Sequence, residues 1–181
     1  MKLKWWLPAL CASAALLWGS GTASWEMNSW QDFVRGRFRG VSLTRDGRLL
    51  LAPVVDTVFT SEQPVIWSLV EGPGGAIYAG TGHSGRVYRI DKSNRGTLLW
   101  TSEQPEVFSL AVDAGGTLYA ATSPNGKVYR IRDGKATEHF TPGTRYIWCL
   151  VFGPDGALYV GTGDPGRVYR VAGRGQAEIY Y

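Results

Sequence analysis

Apolar and polar positions alternate in short runs from residue 66 onward, and the alternation is written three times in one frame. IWSLVEGPGGAIYAGTGHSGRVYRI starts at Ile66, VFSLAVDAGGTLYAATSPNGKVYRI at Val107 and IWCLVFGPDGALYVGTGDPGRVYRV at Ile147, so the copies begin 41 and 40 residues apart. Runs of this length bounded by glycine turns predict strands, and the first copy gives strand a at Ile66 to Val70, strand b at Ala76 to Gly80 and strand c at Arg86 to Ile90. Between copies, Thr97 to Thr101 and then Ala136 to Thr141 supply a fourth strand d. Turn chemistry places positive φ at Gly75, Gly116 and Gly156 in the first turn and at Gly85, Gly126 and Gly166 in the second. In strand c the neighbours Val87 and Tyr88 point to opposite faces, so both sides of each sheet carry apolar bulk.

A sheet that is oily on both faces must be covered on both, and a period near 40 with four short strands is the pattern of a β-propeller blade. The predicted fold is all-β: a partial β-propeller of four-stranded blades at 66–106, 107–146 and 147–181, the last ending inside an unfinished strand d. Residues 40–65 read as a degenerate blade, with a hairpin around Arg45-Asp46-Gly47 and a strand at Asp56 to Thr60. It leads into Ser61-Glu62-Gln63-Pro64, a tetrapeptide that returns as Ser102-Glu103-Gln104-Pro105. Ahead of it, in a lead-in at 24–39, Ser29 and Asp32 form a capping box for a short helix carrying Trp30, Phe33 and Val34. So few blades leave two apolar faces uncovered, which calls for further blades from the same longer chain or from another chain.

The first 23 residues change the picture of charge. Lys2 and Lys4, an apolar run from Trp5 to Trp18 and small residues ending at Ala23 have the layout of a cleaved signal peptide, so the chain is expected in the periplasm or outside the cell with no stable membrane anchor. The whole chain carries 19 Lys and Arg against 15 Asp and Glu. Cleavage removes two lysines and no acid, leaving 17 against 15, which is too balanced for a phosphate-backbone partner, and no nucleic acid is expected. Cys149, the one cysteine left, falls within an apolar strand and reads as a buried, inert thiol.

Asp155-Gly156-Ala157-Leu158-Tyr159-Val160-Gly161-Thr162, followed by Gly166-Arg167-Val168-Tyr169-Arg170-Val171, resembles the repeats of bacterial exported propellers of the YVTN, NHL and two-component-regulator-propeller kind, within the wider WD-repeat-like group. The resemblance covers Ile66 to Tyr181 and implies binding of ligands, glycans or other proteins. It also implies that the b–c turns and the start of strand a share one end of the ring, near its axis. The residues that vary between copies at those places are His83, Asn125 and Asp164 in the turns, and Gln63, Gln104, Glu106, Arg145 and Tyr146 at the strand starts, with Trp67 and Trp148 just inside. Of these, Trp67, His83, Asn125, Arg145, Tyr146, Trp148 and Asp164 form the candidate ligand site, since aromatic walls with a few polar groups suit a sugar or peptide. The repeated Arg89, Arg130 and Arg170 read instead as packing residues bonded to carbonyls or to a neighbouring carboxylate.

Enzyme signatures are not legible. The Asp box of sialidase-type propellers is absent, Glu71-Gly72-Pro73 falls in an ordinary strand-to-strand turn, and Gly96-Thr97-Leu98-Leu99-Trp100 resembles a quinone-type propeller repeat once only. His83 and His139 lie in different blades without cysteine or paired carboxylates at ligand spacing, so no catalytic residue, metal or cofactor is expected. The expected role is a binding scaffold. The alternative is the N-terminal portion of a lactonase-, glycosidase- or quinoprotein-like propeller enzyme whose catalytic residues lie beyond Tyr181.

Overall fold

In this computed structural model the described residues are 24, 26–174 and 176–181, so the expected signal peptide lies outside them. The chain divides into two units, Met1–Asp56 and Thr57–Tyr181. In the first, α1 (Trp30–Val34) follows the capping box: the Ser29 hydroxyl donates to Asp32 Oδ2 at 2.6 Å, and the Asp32 N–H donates back to Ser29 Oγ at 3.3 Å. The hairpin of β1 (Val41–Leu43) and β2 (Leu49–Leu51) turns at Arg45-Asp46-Gly47, with Gly47 at φ 82°.

The second unit holds three antiparallel sheets of four strands, each built in chain order, and the fold is a partial β-propeller. Blade one is β3 (Ile66–Glu71), β4 (Ile77–Thr81), β5 (Arg86–Ile90) and β6 (Gly96–Thr101). Blade two is β7 (Glu106–Val112), β8 (Leu118–Ser123), β9 (Lys127–Arg132) and β10 (Lys135–Phe140). Blade three is β11 (Tyr146–Phe152), β12 (Leu158–Gly163), β13 (Arg167–Gly173) and β14 (Gln176–Ile179). Beyond β14 the ladder continues, because Tyr180 donates to the Val168 carbonyl and Val168 donates to that of Tyr181, both at 2.7 Å.

Repetition explains how the blades stack. Leu110 and Leu150 are 6% and 7% exposed because each faces the preceding blade, while their counterpart Leu69 in blade one is 64% exposed. The next strand position faces the other way: Ala111 is buried against blade three, and its counterpart Val151 is 60% exposed. Two open faces therefore remain, one at Leu69 and one at Val151. Cys149 belongs to the second, so its thiol is exposed and not buried as the sequence implied.

An aromatic pair locks each junction. Trp100 at the end of β6 sits 5.0 Å from Tyr129 of β9, and Phe140 of β10 sits 5.3 Å from Tyr169 of β13, at interplanar angles of 50° and 59°. Phe59 makes the same contact with Tyr88 of β5, at 5.3 Å and 53°. The segment around Phe59 was expected to be a strand, and it is not one. Among the described residues no neighbouring strand offers it a ladder, and it is held by side chains: the Phe59 ring also lies over Gly96, and the Tyr88 hydroxyl donates to the Ser61 carbonyl at 3.0 Å.

The links into blades one and two repeat as the sequence repeats. Ser61 Oγ accepts from the Gln63 N–H, and Ser102 Oγ from the Gln104 N–H, each serine being buried. Gly75, Gly116, Gly156 and Gly85 have positive φ as expected, but Gly126 and Gly166 do not. Pro124 and Pro165 enter those two turns, and a fixed proline φ gives them a different path; in the last it is Asp164 that takes φ 53°.

Candidate functional site

Each blade carries a β-bulge at the second residue of its repeat frame, where the register skips Trp67 in blade one, Phe108 in blade two and Trp148 in blade three. A bulge leaves one residue unpaired and re-aims its side chain. Here the three re-aimed rings meet. The Trp67 and Phe108 centroids are 5.2 Å apart, edge to face, and those of Phe108 and Trp148 are 4.9 Å apart. Tyr146 extends the row by stacking on Trp148 at 5.2 Å and 16°, and the Arg145 guanidinium lies 5.4 Å from the Tyr146 ring centre. Trp67 and Trp148 keep 47% and 51% of their surface in solvent, so the row is half open among the described residues.

The glycine pattern is fitted to this row. A Cβ at Gly82 would strike the Trp67 indole nitrogen, and one at Gly163 the Trp148 indole nitrogen. The matching position under Phe108 is Ser123, a fully buried side chain whose Oγ accepts the Ile147 N–H at 3.4 Å. Bulky indole goes with glycine and the smaller phenyl with serine.

Polar groups gather at one end. Glu106 Oε2 accepts the Trp67 indole N–H at 2.6 Å, and its Oε1 accepts the His83 backbone N–H at 3.3 Å. The b–c turns thus lie against the starts of the strand a positions, as expected: Gly85 donates to the Pro105 carbonyl, Gly126 to that of Thr144, and Asn125 to Gln104 Oε1 at 3.2 Å. Beside Arg145, a cleft of about 410 Å³ is lined by Asn125, Lys127, Thr141 and Thr144.

Of the candidate residues, the structure joins Trp67, Trp148, Tyr146 and Arg145 in one row and places His83 at its Glu106 end and Asn125 at the Arg145 cleft. Asp164 follows Gly163, on which Trp148 sits, and its side chain is exposed without a hydrogen bond among the described residues. Phe108 was not among the expected residues, although it occupies the same repeat position as Trp67 and Trp148, and that shared position is the signal that points to it. The repeated arginines do not act alike. Arg170 forks onto Asp155 at 2.7 and 2.9 Å and reaches Glu178 at 3.2 Å, all within blade three, whereas Arg89 has no ion pair among the described residues and the buried Nε of Arg130 has no partner. The Asp155 carboxyl is held below the usual carboxylate range by that fork.

Among the described residues no group of three His, Cys, Asp or Glu could hold a metal ion, and no helix is long and apolar enough to cross a membrane.

No protein-family model matches the chain, and no curated protein matches it. Solved structures do. Virginiamycin B lyase from Staphylococcus aureus superposes with a TM-score of 0.60 at 18% identity, over 77% of this chain and 47% of the lyase. A regucalcin described as a calcium-binding protein from Agrobacterium tumefaciens gives 0.52 at 18%, over 72% and 51%. The PQQ-bound aldose sugar dehydrogenase from Streptomyces coelicolor gives 0.51 at 21%, over 65% and 47%. At these identities the likeness is one of fold: the β-propeller. The chain spans about half the length of these three structures.

Proposed function

We propose that this chain is part of an exported β-propeller that binds a glycan, peptide or protein ligand across the row Trp67–Phe108–Trp148–Tyr146. The observation that carries this reading is the half-exposed aromatic row, raised out of three inner strands by three equivalent bulges. A soluble protein that holds contiguous aromatic surface in water, with a few fixed polar groups at its margin, presents the makings of a recognition surface. Export rests on the layout of residues 1–23, and the open faces at Leu69 and Val151 are read as surfaces for further blades, from the same longer chain or another chain.

The test is capture on glycan and peptide arrays by the parent and by the Trp67→Ala, Trp148→Ala pair. Loss of captured ligands in the double variant, with circular dichroism unchanged, supports the reading; identical capture removes the site.

The rival reading is a propeller enzyme with catalytic groups outside these residues. It draws on the chain's spanning about half of its matches, two of which are a lyase and a dehydrogenase. Turnover of the ligand identified on the arrays would favour it.

A further inference from the structure

Resting on the reading that the aromatic row binds a ligand, we propose that the ligand is an extended peptide segment presenting a cation at Glu106 and an anionic group at Arg145. The row has opposite charges at its two ends. Glu106 receives two hydrogen bonds, but both donors, the Trp67 indole and the His83 amide, are neutral, and its negative charge is not balanced by an ion pair among the described residues. An ammonium or guanidinium arriving there meets a carboxylate already aimed by the indole N–H of Trp67 and the His83 amide.

At the other end Arg145 is exposed and likewise without an ion pair among the described residues. Its guanidinium is steadied against Tyr146, which is steadied in turn against Trp148. The adjacent cleft holds a second cation, Lys127, but that one is already bonded to Glu138 at 2.9 Å. Arg145 is therefore the cation open to an incoming carboxylate, with Thr141 and Thr144 beside it.

A neutral glycan would use the rings and leave both end charges idle.

The experiment is a tryptophan-fluorescence titration of the full chain with capped hexapeptides that carry lysine at one terminus and glutamate at the other, in both orders. Controls are the acetyl-lysine and glutamine versions and a neutral oligosaccharide. One order of the charged peptide is expected to bind about tenfold more tightly than its neutralised versions, an advantage that shrinks in high salt. Glu106→Gln, which retains an acceptor for Trp67, is expected to erase the preference for lysine alone, and Arg145→Gln the preference for glutamate alone. Equal binding of charged and neutral peptides, or tighter binding of the oligosaccharide, with array capture still lost in the Trp67→Ala, Trp148→Ala pair, overturns the charge assignment and leaves the aromatic site standing. A quench that persists unchanged in the double tryptophan variant overturns both.

Discussion

Phe59 sits 5.3 Å from Tyr88 at 53°, in a segment without strand structure, and so repeats the contact that Trp100 makes with Tyr129 and Phe140 makes with Tyr169. The spacing from Phe59 to Trp100 to Phe140 follows the blade period, so the interlock outlasts the loss of the ladder around it. Tyr181 continues the series: it pairs with Val168 where Phe140 pairs with Val128, yet its ring faces solvent. Phe140→Ala is expected to cost roughly 3 kcal/mol, and Tyr181→Ala less than about 0.5 kcal/mol. Urea unfolding of the two variants checks this, and equal losses would show that the ring–ring contact does not hold blade to blade.

The leucine column offers a second comparison within one molecule. Leu110→Ala removes a side chain packed in the core between blades one and two and is expected to cost about 2 to 5 kcal/mol. Leu69→Ala, at the open face, is expected to cost under roughly 1 kcal/mol, because solvent already covers most of the side chain. Matching losses in the two variants would mean that the Leu69 face is covered in solution, and crosslinking would then identify the cover.

Much of this architecture was legible because a blade's demands are local and repeated. Leu110 and Leu150, or Val87 and Val128, recur at fixed offsets, so each copy confirms the others. What was lost is what only long-range geometry decides. Phe108 shares its repeat position with Trp67 and Trp148 and was legible with them, whereas the bond between Trp67 and Glu106 joins residues 39 apart that no local pattern links. Cys149 was read as buried from its strand, but strand position fixes only the face; whether a neighbour covers that face is a matter of the stack. The contact of Phe59 could not be read from a hydrogen-bonding pattern that does not exist.

The glycines beneath the indoles give a third expectation. Gly82→Ala and Gly163→Ala each push a methyl group into a tryptophan nitrogen and are expected to cost about 1 to 3 kcal/mol and to shift the tryptophan emission. In blade two, Ser123→Ala loses one hydrogen bond to the Ile147 amide, about 1 kcal/mol, and leaves the emission alone. An unchanged spectrum in both glycine variants would show that the indoles do not rest where the bulges place them.

His139 supplies a pH-dependent term with a defined sign. Its ring meets Tyr119 edge-on at 5.1 Å, and burial, aided by the positive charges of Arg130 and Arg174, pushes its pKa below the ordinary 6.5. The folded state thus favours neutral imidazole, and the unfolded chain binds the proton more readily. The stability this contributes is complete above pH 6.5 and is lost as pH falls from there through the lowered folded value. The carboxylate of Glu138, next in the chain, is engaged by Lys127 and by the Thr141 hydroxyl and so leaves the imidazole without a counter-charge from that side. Urea midpoints at pH 7.5 and pH 5.5 should fall further for the parent than for His139→Gln, which carries no proton to gain. Carboxylates such as Asp155, titrating well below this window, contribute equally to both proteins. Parallel falls in parent and variant would mean that the imidazole takes up its proton in place, without disturbing the packing against Tyr119.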